Sequence, residues 1–195
     1  MLSKRFSGTY LLALIVMVAV ASLTSSEFWT REARMQAQKE KIEQNLLAVA
    51  PITDYDNNPQ QEKQYRLEDG KTYIAYPFTK DGELAGYVIQ NQTYSAYNGL
   101  LKVLVGLRGD GTSSGVRVVQ HRETPGLGDR IEPQNNPWIL QLKGSAVDKR
   151  SWQLQKDGGL VANLTGATVS ARATLNSAHE ALLYFTRDLE YLDTQ

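Results

Sequence analysis

Residues 164–170, which read Leu-Thr-Gly-Ala-Thr-Val-Ser, bring hydroxyl groups close together near the end of the chain. The small residues Gly166 and Ala167 separate Thr165 from Thr168. Apolar residues then recur at helical spacing, at Leu175, Ala178, Leu182, Phe185 and Leu189, which predicts a helix that begins near Thr168. A helix N-terminus offers unpaired N–H donors and a positive dipole end, so a phosphate is well placed there and a threonine hydroxyl could be esterified to one. On these residues alone, an ordinary cap and turn remains the alternative.

A second stretch, residues 121–129, reads His-Arg-Glu-Thr-Pro-Gly-Leu-Gly-Asp and follows a predicted strand. Its glycines and proline predict a tight, exposed loop. A rigid loop at a strand end, with backbone donors, suits a bound ligand. By chemistry alone His121 is more often structural than catalytic, and no Ser-His-Asp, paired-carboxylate or P-loop pattern accompanies it. We therefore predict no hydrolase and no catalytic residue.

The composition excludes several classes of protein. The 195 residues include 21 basic and 21 acidic side chains, whereas a nucleic-acid binder needs a basic excess. The absence of cysteine excludes disulfides and thiolate metal sites within this chain. His121 and His179 lie far apart in sequence, which argues against a zinc site. A hydrophobic content of 42% is sufficient for a packed core.

The N-terminal segment predicts export. Residues 8–26 carry no charge and have the length of a membrane-spanning helix. Lys4 and Arg5 precede them, which predicts a cytoplasmic N-terminus and, in a bacterium, a periplasmic main domain. A cleaved signal peptide is the alternative, because Ala-Val-Ala at residues 19–21 fits a cleavage site. We favour the anchor because the apolar run continues to Leu23.

The remaining pattern predicts an α+β domain with a mainly antiparallel sheet and flanking helices. Residues 30–50 indicate a polar helix that Pro51 ends, followed by a polar loop at 54–64. Asp-Gly turns predict two hairpins, 71–78 with 84–89 and 100–107 with 116–120. A short helix is expected at 138–142 after Pro137, and a strand at 151–155. The predicted divisions are a cytoplasmic end (1–7), an anchor (8–26), a stalk helix (27–50) and a periplasmic domain (51–195).

Three motifs in order carry a resemblance to a known family. HRETPGLGDRIE at 121–132, KDGG at 156–159 and TGATVS at 165–170 stand behind a single apolar N-terminal segment. This arrangement resembles the G subunit of the Rnf electron-transport complex, and the related C subunit of the sodium-translocating NADH:quinone reductase shares the domain type. The resemblance covers most of the chain, and KDGG favours the Rnf family.

The resemblance implies FMN bound covalently, its phosphate esterified to Thr168, with Thr165 and Ser170 as rival hydroxyls. Gly166 and Ala167 would leave room for the phosphate and for the flavin transferase that attaches it. The expected binding residues at this motif are Thr165, Gly166, Ala167, Thr168, Val169 and Ser170. A phosphodiester holds the flavin without touching its ring, so the ring keeps its own redox chemistry.

The loop at 121–128 would then line the flavin, with Glu123, Thr124, Gly126 and Leu127 as binding residues. We hypothesise that Glu123 and Thr124 form hydrogen bonds near the ring or phosphate and that Leu127 packs on the ring face. Tyr97 is a weaker candidate, because tyrosine is more often part of a core. His179 is interpreted as a surface or packing residue.

The resemblance implies a function within a larger enzyme. The chain would be a single-pass, inner-membrane flavoprotein that relays electrons through FMN, while its partner membrane subunits couple electron flow between ferredoxin and NAD to ion movement. It has no G-x-G-x-x-G fingerprint, so we do not expect it to bind NAD itself. The alternatives are the equivalent component of the quinone reductase, a sensory or structural module whose flavin has no throughput, and an exported binding module without flavin.

Overall fold

The computed structural model describes the backbone of residues 3–68 and 70–192, with side-chain surroundings for 10–22, 34–68 and 70–186. The described chain begins with one α-helix, α1 (Ser3–Leu47), and ends with another, α2 (Thr168–Leu192). Between them run five strands: β1 (Gln64–Glu68), β2 (Lys71–Lys80), β3 (Glu83–Ala96), β4 (Gly99–Arg108) and β5 (Ser113–His121). Short 3-10 helices follow at Gly128–Ile131, Pro137–Leu142, Lys149–Trp152 and Gln155–Asp157.

The five strands form one antiparallel meander in the order β1-β2-β3-β4-β5. Both predicted hairpins are confirmed. The β2–β3 turn places Asp81 at φ 55° and Gly82 at φ 78°, the left-handed pair that a two-residue hairpin requires. β3 continues to Ala96, beyond the predicted end at residue 89, because its polar stretch still pairs with β4. β1 was not predicted, since its exposed residues give no strong alternation.

One face of the sheet packs against α2. Val103, Val105 and Leu107 of β4 are fully buried on this face. The predicted apolar stripe of α2 is confirmed at Leu175, Ala178, Leu182 and Phe185, which are all buried; Leu189 lies outside the described side chains. The stripe fixes the rotation of α2, and therefore the direction in which its first turn presents its side chains.

The opposite face of the sheet is covered by the end of α1 and the chain that follows it. Leu46 and Val49 are buried with Tyr76, Phe78, Val88 and Leu104. The Val49 backbone can lie this close to β4 because residue 106 is a glycine. A Cβ at Gly106 would lie 1.9 Å from the Val49 carbonyl oxygen. The Ser114 hydroxyl donates to that oxygen at 2.5 Å. Residues 43–195 thus form one compact unit, and residues 1–42 form another.

The structure differs from the sequence-based predictions at the end of α1 and at residues 151–155. α1 ends at Leu47, ahead of Pro51, and residues 48–49 form a turn. The predicted strand at 151–155 is wrong. Asp148 caps a 3-10 helix there by accepting from the N–H groups of Arg150 and Ser151. Trp152 and Leu154 are both buried, so burial of alternate residues produced a strand-like pattern without a ladder.

Among the described residues, no helix is both long enough and apolar enough to cross a membrane. The predicted anchor at 8–26 includes residues 8–9 and 23–26, whose side chains lie outside those described. The same holds for residues 27–33 of the predicted stalk.

Candidate functional site

A cavity of about 450 Å³ lies at the N-terminus of α2, where the two predicted stretches meet. Its lining residues are Tyr97, Glu123, Thr124, Leu127, Gly128, Gly166, Ala167, Thr168, Val169 and Ser170. All the predicted binding residues except Gly126 and Thr165 therefore line one cavity. The volume falls in the range of pockets that hold cofactors and other small molecules.

The first turn of α2 supplies backbone donors to this cavity. Gly166 has φ 84°, a left-handed conformation that an L side chain rarely adopts. The first helical hydrogen bond runs from Ala171 N–H to the Ala167 carbonyl at 2.9 Å. The N–H groups of residues 168–170 precede that bond, so they form the positive end of the helix dipole. The predicted helix start at Thr168 is confirmed.

Glu123 joins three segments of the site. It is only 6% exposed, and its Oε1 accepts from the Asn98 N–H at 3.1 Å while its Oε2 accepts from the Ser170 hydroxyl at 2.7 Å. Gly128 allows this packing, because a Cβ there would lie 2.5 Å from Oε2. Both carboxylate oxygens thus have protein partners. The structure shows that Glu123 holds the β3–β4 turn and the start of α2 in place, a role that the sequence did not suggest.

His121 and Thr124 brace the loop between them. The His121 Nδ1 accepts from the Glu123 N–H at 3.0 Å, and Nε2 lies 3.0 Å from Glu132 Oε1. The Thr124 carbonyl accepts from the N–H groups of Leu127 and Gly128, and Asn98 Nδ2 donates to its hydroxyl at 3.3 Å. Both ring nitrogens of His121 thus have protein partners within the loop and the segment that follows it.

Exposed apolar side chains surround the cavity. Tyr97 is 73% exposed, Leu127 55% and Val169 44%. Tyr97, the weaker candidate, is not part of the core: it lies in the turn between β3 and β4 and lines the cavity. A Tyr-Asn-Gly turn between two strand patterns was the available signal for this position. Such exposed aromatic and aliphatic groups suit a flat, partly apolar ring.

The three hydroxyls of the motif have different surroundings. Thr165 lines a neighbouring cavity of about 400 Å³, and its carbonyl accepts from Arg130 Nη1 at 2.7 Å. Ser170 is buried and donates to Glu123. Thr168 is partly exposed, begins α2 and lines the main cavity. Gly126 stands exposed at the loop tip, outside the lining.

Lys156 was missed by sequence reasoning, although it begins the KDGG motif. Its ammonium group donates to Thr168 Oγ1 at 2.6 Å. The adjacent Asp157 binds Arg172 of α2 through two hydrogen bonds of 2.7 and 2.6 Å. The Arg172 guanidinium holds the pKa of the Asp157 carboxyl below its ordinary value, and the same contact raises the pKa of Arg172.

His179 lies away from the cavity and packs as expected. Its Nε2 is 3.0 Å from the Val147 carbonyl oxygen, and its ring stacks on Trp152. Within the described part of the chain, no cluster of three or more histidine, aspartate or glutamate side chains is arranged to hold a metal ion.

Comparison with known proteins identifies the class. Residues 96–183 match the family model described as an FMN-binding domain, and every residue that lines the main cavity falls within that span. The site fits such a nucleotide on its own chemistry. A helix N-terminus and Lys156 suit a phosphate, and the exposed Tyr97 and Leu127 suit a flavin ring. Fold and site together define a protein with an FMN-binding domain.

Full-length relatives place the chain more narrowly. It is 34% identical to the G subunit of the ion-translocating oxidoreductase complex of Pseudomonas aeruginosa, over 93% of this chain and 89% of that relative. It is 32% identical to the protein of the same name from Vibrio cholerae, over 100% of this chain and 97% of that relative. It is also 32% identical to the protein of the same name from Pseudoalteromonas atlantica, over 92% of this chain and 87% of that relative. The chain belongs to the family of G subunits of ion-translocating oxidoreductase complexes.

Proposed function

We propose that this chain is the flavoprotein component of an ion-translocating oxidoreductase complex and carries electrons through FMN bound covalently to Thr168. The observation that carries this proposal is the position of Thr168. Its hydroxyl lies at the first residue of α2, in the cavity that both motif stretches line, with the Lys156 ammonium 2.6 Å away. Relatives that align with nearly the whole chain are named subunits of such a complex.

Thr168 is the acceptor best supported by its surroundings. Esterification needs a hydroxyl that a modifying enzyme can approach and a place for the phosphate charge beside it. The α2 N-terminus supplies that place. Thr165 lines a different cavity, and Ser170 is 1% exposed with its hydroxyl bound to Glu123.

FMN would supply the redox chemistry, since no side chain of the described site can accept and release electrons at moderate potential. The protein's own contribution is to bind and to orient. Tyr97, Leu127 and Val169 offer apolar surface for the ring, and Glu123 holds the loop and the helix start in register. An attached cofactor also cannot diffuse away from an exported domain.

Membrane attachment and partners form part of the proposal. Residues 8–26 form an uncharged segment, and the apolar side chains among residues 10–22 are exposed. We take this segment as an inner-membrane anchor with a cytoplasmic N-terminus and a periplasmic FMN domain. Partners would be the other membrane subunits of the complex, which would couple ferredoxin and NAD to ion movement, and a flavin transferase for maturation.

The test of the cofactor link is flavin fluorescence on a denaturing gel. We expect the full chain, produced with a flavin transferase, to give a fluorescent band. Thr168→Val removes the acceptor oxygen with little change in shape and should give a dark band, whereas the control Thr165→Val should stay bright. A bright Thr168→Val band would show that the assigned acceptor is wrong.

Electron relay needs a separate measurement in membranes that contain the whole complex. We expect Thr168→Val to abolish ferredoxin-linked NAD reduction while the other subunits still assemble. Undiminished activity in that variant would limit the chain to a structural or sensory role. Quinone reduction from NADH in place of the ferredoxin reaction would indicate the quinone-reductase alternative.

A further inference from the structure

The contact between Lys156 and Thr168 is the least explained polar contact of the site. The Lys156 side chain is exposed, and an exposed lysine gains little by leaving water for a neutral hydroxyl. Its ammonium group nevertheless donates to Thr168 Oγ1 at 2.6 Å. This oxygen is the atom to which the proposed function assigns the phosphate, so the contact places a positive charge at the reacting position.

The backbone around Lys156 is fixed by several contacts. It lies in the 3-10 helix Gln155–Asp157, where the Gln155 N–H donates to the Val161 carbonyl at 2.8 Å. The Lys156 N–H donates to Asn163 Oδ1 at 3.2 Å. The paired hydrogen bonds from Arg172 to Asp157 then tie this short helix to α2. Lys156 is therefore held over the first turn of α2 by its neighbours as well as by its own side chain.

We propose that Lys156 is a positioning residue for attachment of the flavin phosphate: it orients the Thr168 hydroxyl for transfer and then pairs with the charge of the resulting diester. The Asp157–Arg172 pair keeps it in place. The inference rests on the proposed function, since it assumes that Thr168 is the acceptor. It adds a residue outside both motif stretches that line the cavity, and it concerns maturation of the protein rather than electron transfer.

The chemical step is a phosphoryl transfer without oxidation or reduction. A bond forms between Thr168 Oγ1 and phosphorus, and the bond from phosphorus to the leaving group of the donor breaks. The donor class is a flavin dinucleotide, whose nucleoside monophosphate leaves with the bonding electrons. The hydroxyl proton passes to a base on the transferase or to water. Lys156 stabilises the negative charge that develops on Oγ1 as this proton leaves.

The charge balance after transfer also favours a lysine here. A phosphate with two ester bonds keeps one ionised oxygen and so carries a single negative charge. The N-terminus of α2 contributes about half a positive charge. Glu123, in the loop after β5, places a negative charge against the same turn, since its carboxylate accepts from Ser170. The ammonium of Lys156 supplies the cation that offsets the new anion.

The experiment measures flavin incorporation into the full chain in detergent, with purified transferase and a flavin dinucleotide as donor. In-gel fluorescence against time gives kcat and KM for each chain variant. We expect Lys156→Met to lower kcat on the order of tenfold, the usual effect of losing a charged hydrogen bond. KM should stay within about twofold of wild type because the change does not affect docking, and Lys156→Arg should recover most of the rate.

Matched variants separate the role of Lys156 from general effects. Lys149→Met removes an exposed lysine from the helix Lys149–Trp152. This helix lies away from Thr168, because its Trp152 stacks on His179, which is eleven residues beyond Thr168 along α2. The Lys149→Met chain should incorporate flavin at the wild-type rate. Asp157→Asn weakens this link to α2, because it removes the carboxylate charge and replaces one of the two oxygens that accept from Arg172 with an NH₂ group. It should lower kcat by about threefold. Thermal melting of each chain checks that the fold is kept.

The possible results distinguish this inference from the proposed function. If Lys156→Met incorporates flavin at the wild-type kcat, or raises KM alone, Lys156 does not position the hydroxyl and the inference is wrong. If wild type is bright and Thr168→Val dark in the same series, the proposed acceptor stands regardless. A dark wild type, or a bright Thr168→Val, would overturn both together.

Discussion

At the scale of single residues, two side chains of opposite charge contact the start of α2, one buried and the other exposed. Glu123 is buried and bound on both carboxylate oxygens, whereas Lys156 is exposed and reaches Thr168 along its flexible chain. A buried, fully partnered carboxylate fixes geometry, because the loss of one partner leaves another group unsatisfied. An exposed ammonium contributes charge at little cost to the fold. Glu123 should therefore matter for stability and Lys156 for chemistry.

Replacement of Glu123 tests whether its two hydrogen bonds stabilise the domain. Glu123→Ala leaves the Asn98 N–H without its acceptor and should lower the free energy of unfolding by about 2–3 kcal/mol. Glu123→Gln should cost only about 1 kcal/mol, because its amide oxygen can still accept from Asn98 and the Ser170 hydroxyl can turn to accept from its NH₂ group. Urea unfolding followed by tryptophan fluorescence measures both.

The control for this series is Glu83→Ala, at an exposed carboxylate beside the β2–β3 turn, which we expect within about 0.5 kcal/mol of wild type. Equal, small losses for Glu123→Ala and Glu83→Ala would contradict this role of Glu123. They would favour instead the original hypothesis that Glu123 binds the flavin, which a shift in the flavin absorption spectrum of Glu123→Gln would report.

At the scale of elements, the sheet is covered on both faces by chain from opposite ends of the sequence. α2 covers one face, and the segment from Leu46 to Pro51 crosses the other. The second covering is held by backbone contact, since the Val49 carbonyl lies against Gly106 and accepts from Ser114. The irregular chain after α1 can therefore lie directly on β4, because Gly106 has no side chain at the point of contact.

Gly106→Ala tests this closure. The added Cβ would lie 1.9 Å from the Val49 carbonyl oxygen, so either the segment or β4 must move, and we expect a loss of more than about 2 kcal/mol. Gly109→Ala is the matched control, because its Cβ would meet the Ala85 carbonyl only at 3.5 Å. Its loss should stay below about 1 kcal/mol by urea unfolding, and equal losses would mean that the close approach at Gly106 is unimportant.

At the scale of the whole molecule, one compact unit of residues 43–195 contains the sheet, both coverings and the site. The cavity collects residues from the β3–β4 turn, the loop after β5 and the first turn of α2. Distant parts of the chain meet there because the meander sets the strand ends side by side and α2 packs across them. The site therefore depends on the integrity of the complete unit.

Two truncated chains test where this unit begins. A fragment that starts at Glu43 retains Leu46 and Val49, which are 3% and 1% exposed, and should unfold cooperatively in urea. A fragment that starts at Ile52 lacks both and should be less stable by about 3–6 kcal/mol, at about 1.5–3 kcal/mol for each buried side chain. Equal urea midpoints would show that the segment before Pro51 does not stabilise the unit.

Local signals in the sequence were sufficient for much of the fold. Asp-Gly turns between alternating residues located both hairpins, and the 3.6-residue stripe located α2 and its start at Thr168. The same kind of signal misled at residues 151–155, because alternate burial of Trp152 and Leu154 has the period of a strand. β1 escaped notice since an exposed edge strand leaves little hydrophobic pattern.

By itself the sequence determined the elements, the two chemistry-bearing stretches and the family they resemble, because each depends on residues close together in the chain. Only the tertiary structure decided that Tyr97 projects at the cavity, that Glu123 is buried between Asn98 and Ser170, and that Lys156 reaches Thr168. These contacts join residues from 12 to 47 positions apart. The contacts of Thr168 and Ser170 depend on how α2 packs on the sheet, and that of Asn98 depends on which strand ends the meander sets side by side. No local sequence pattern records either arrangement.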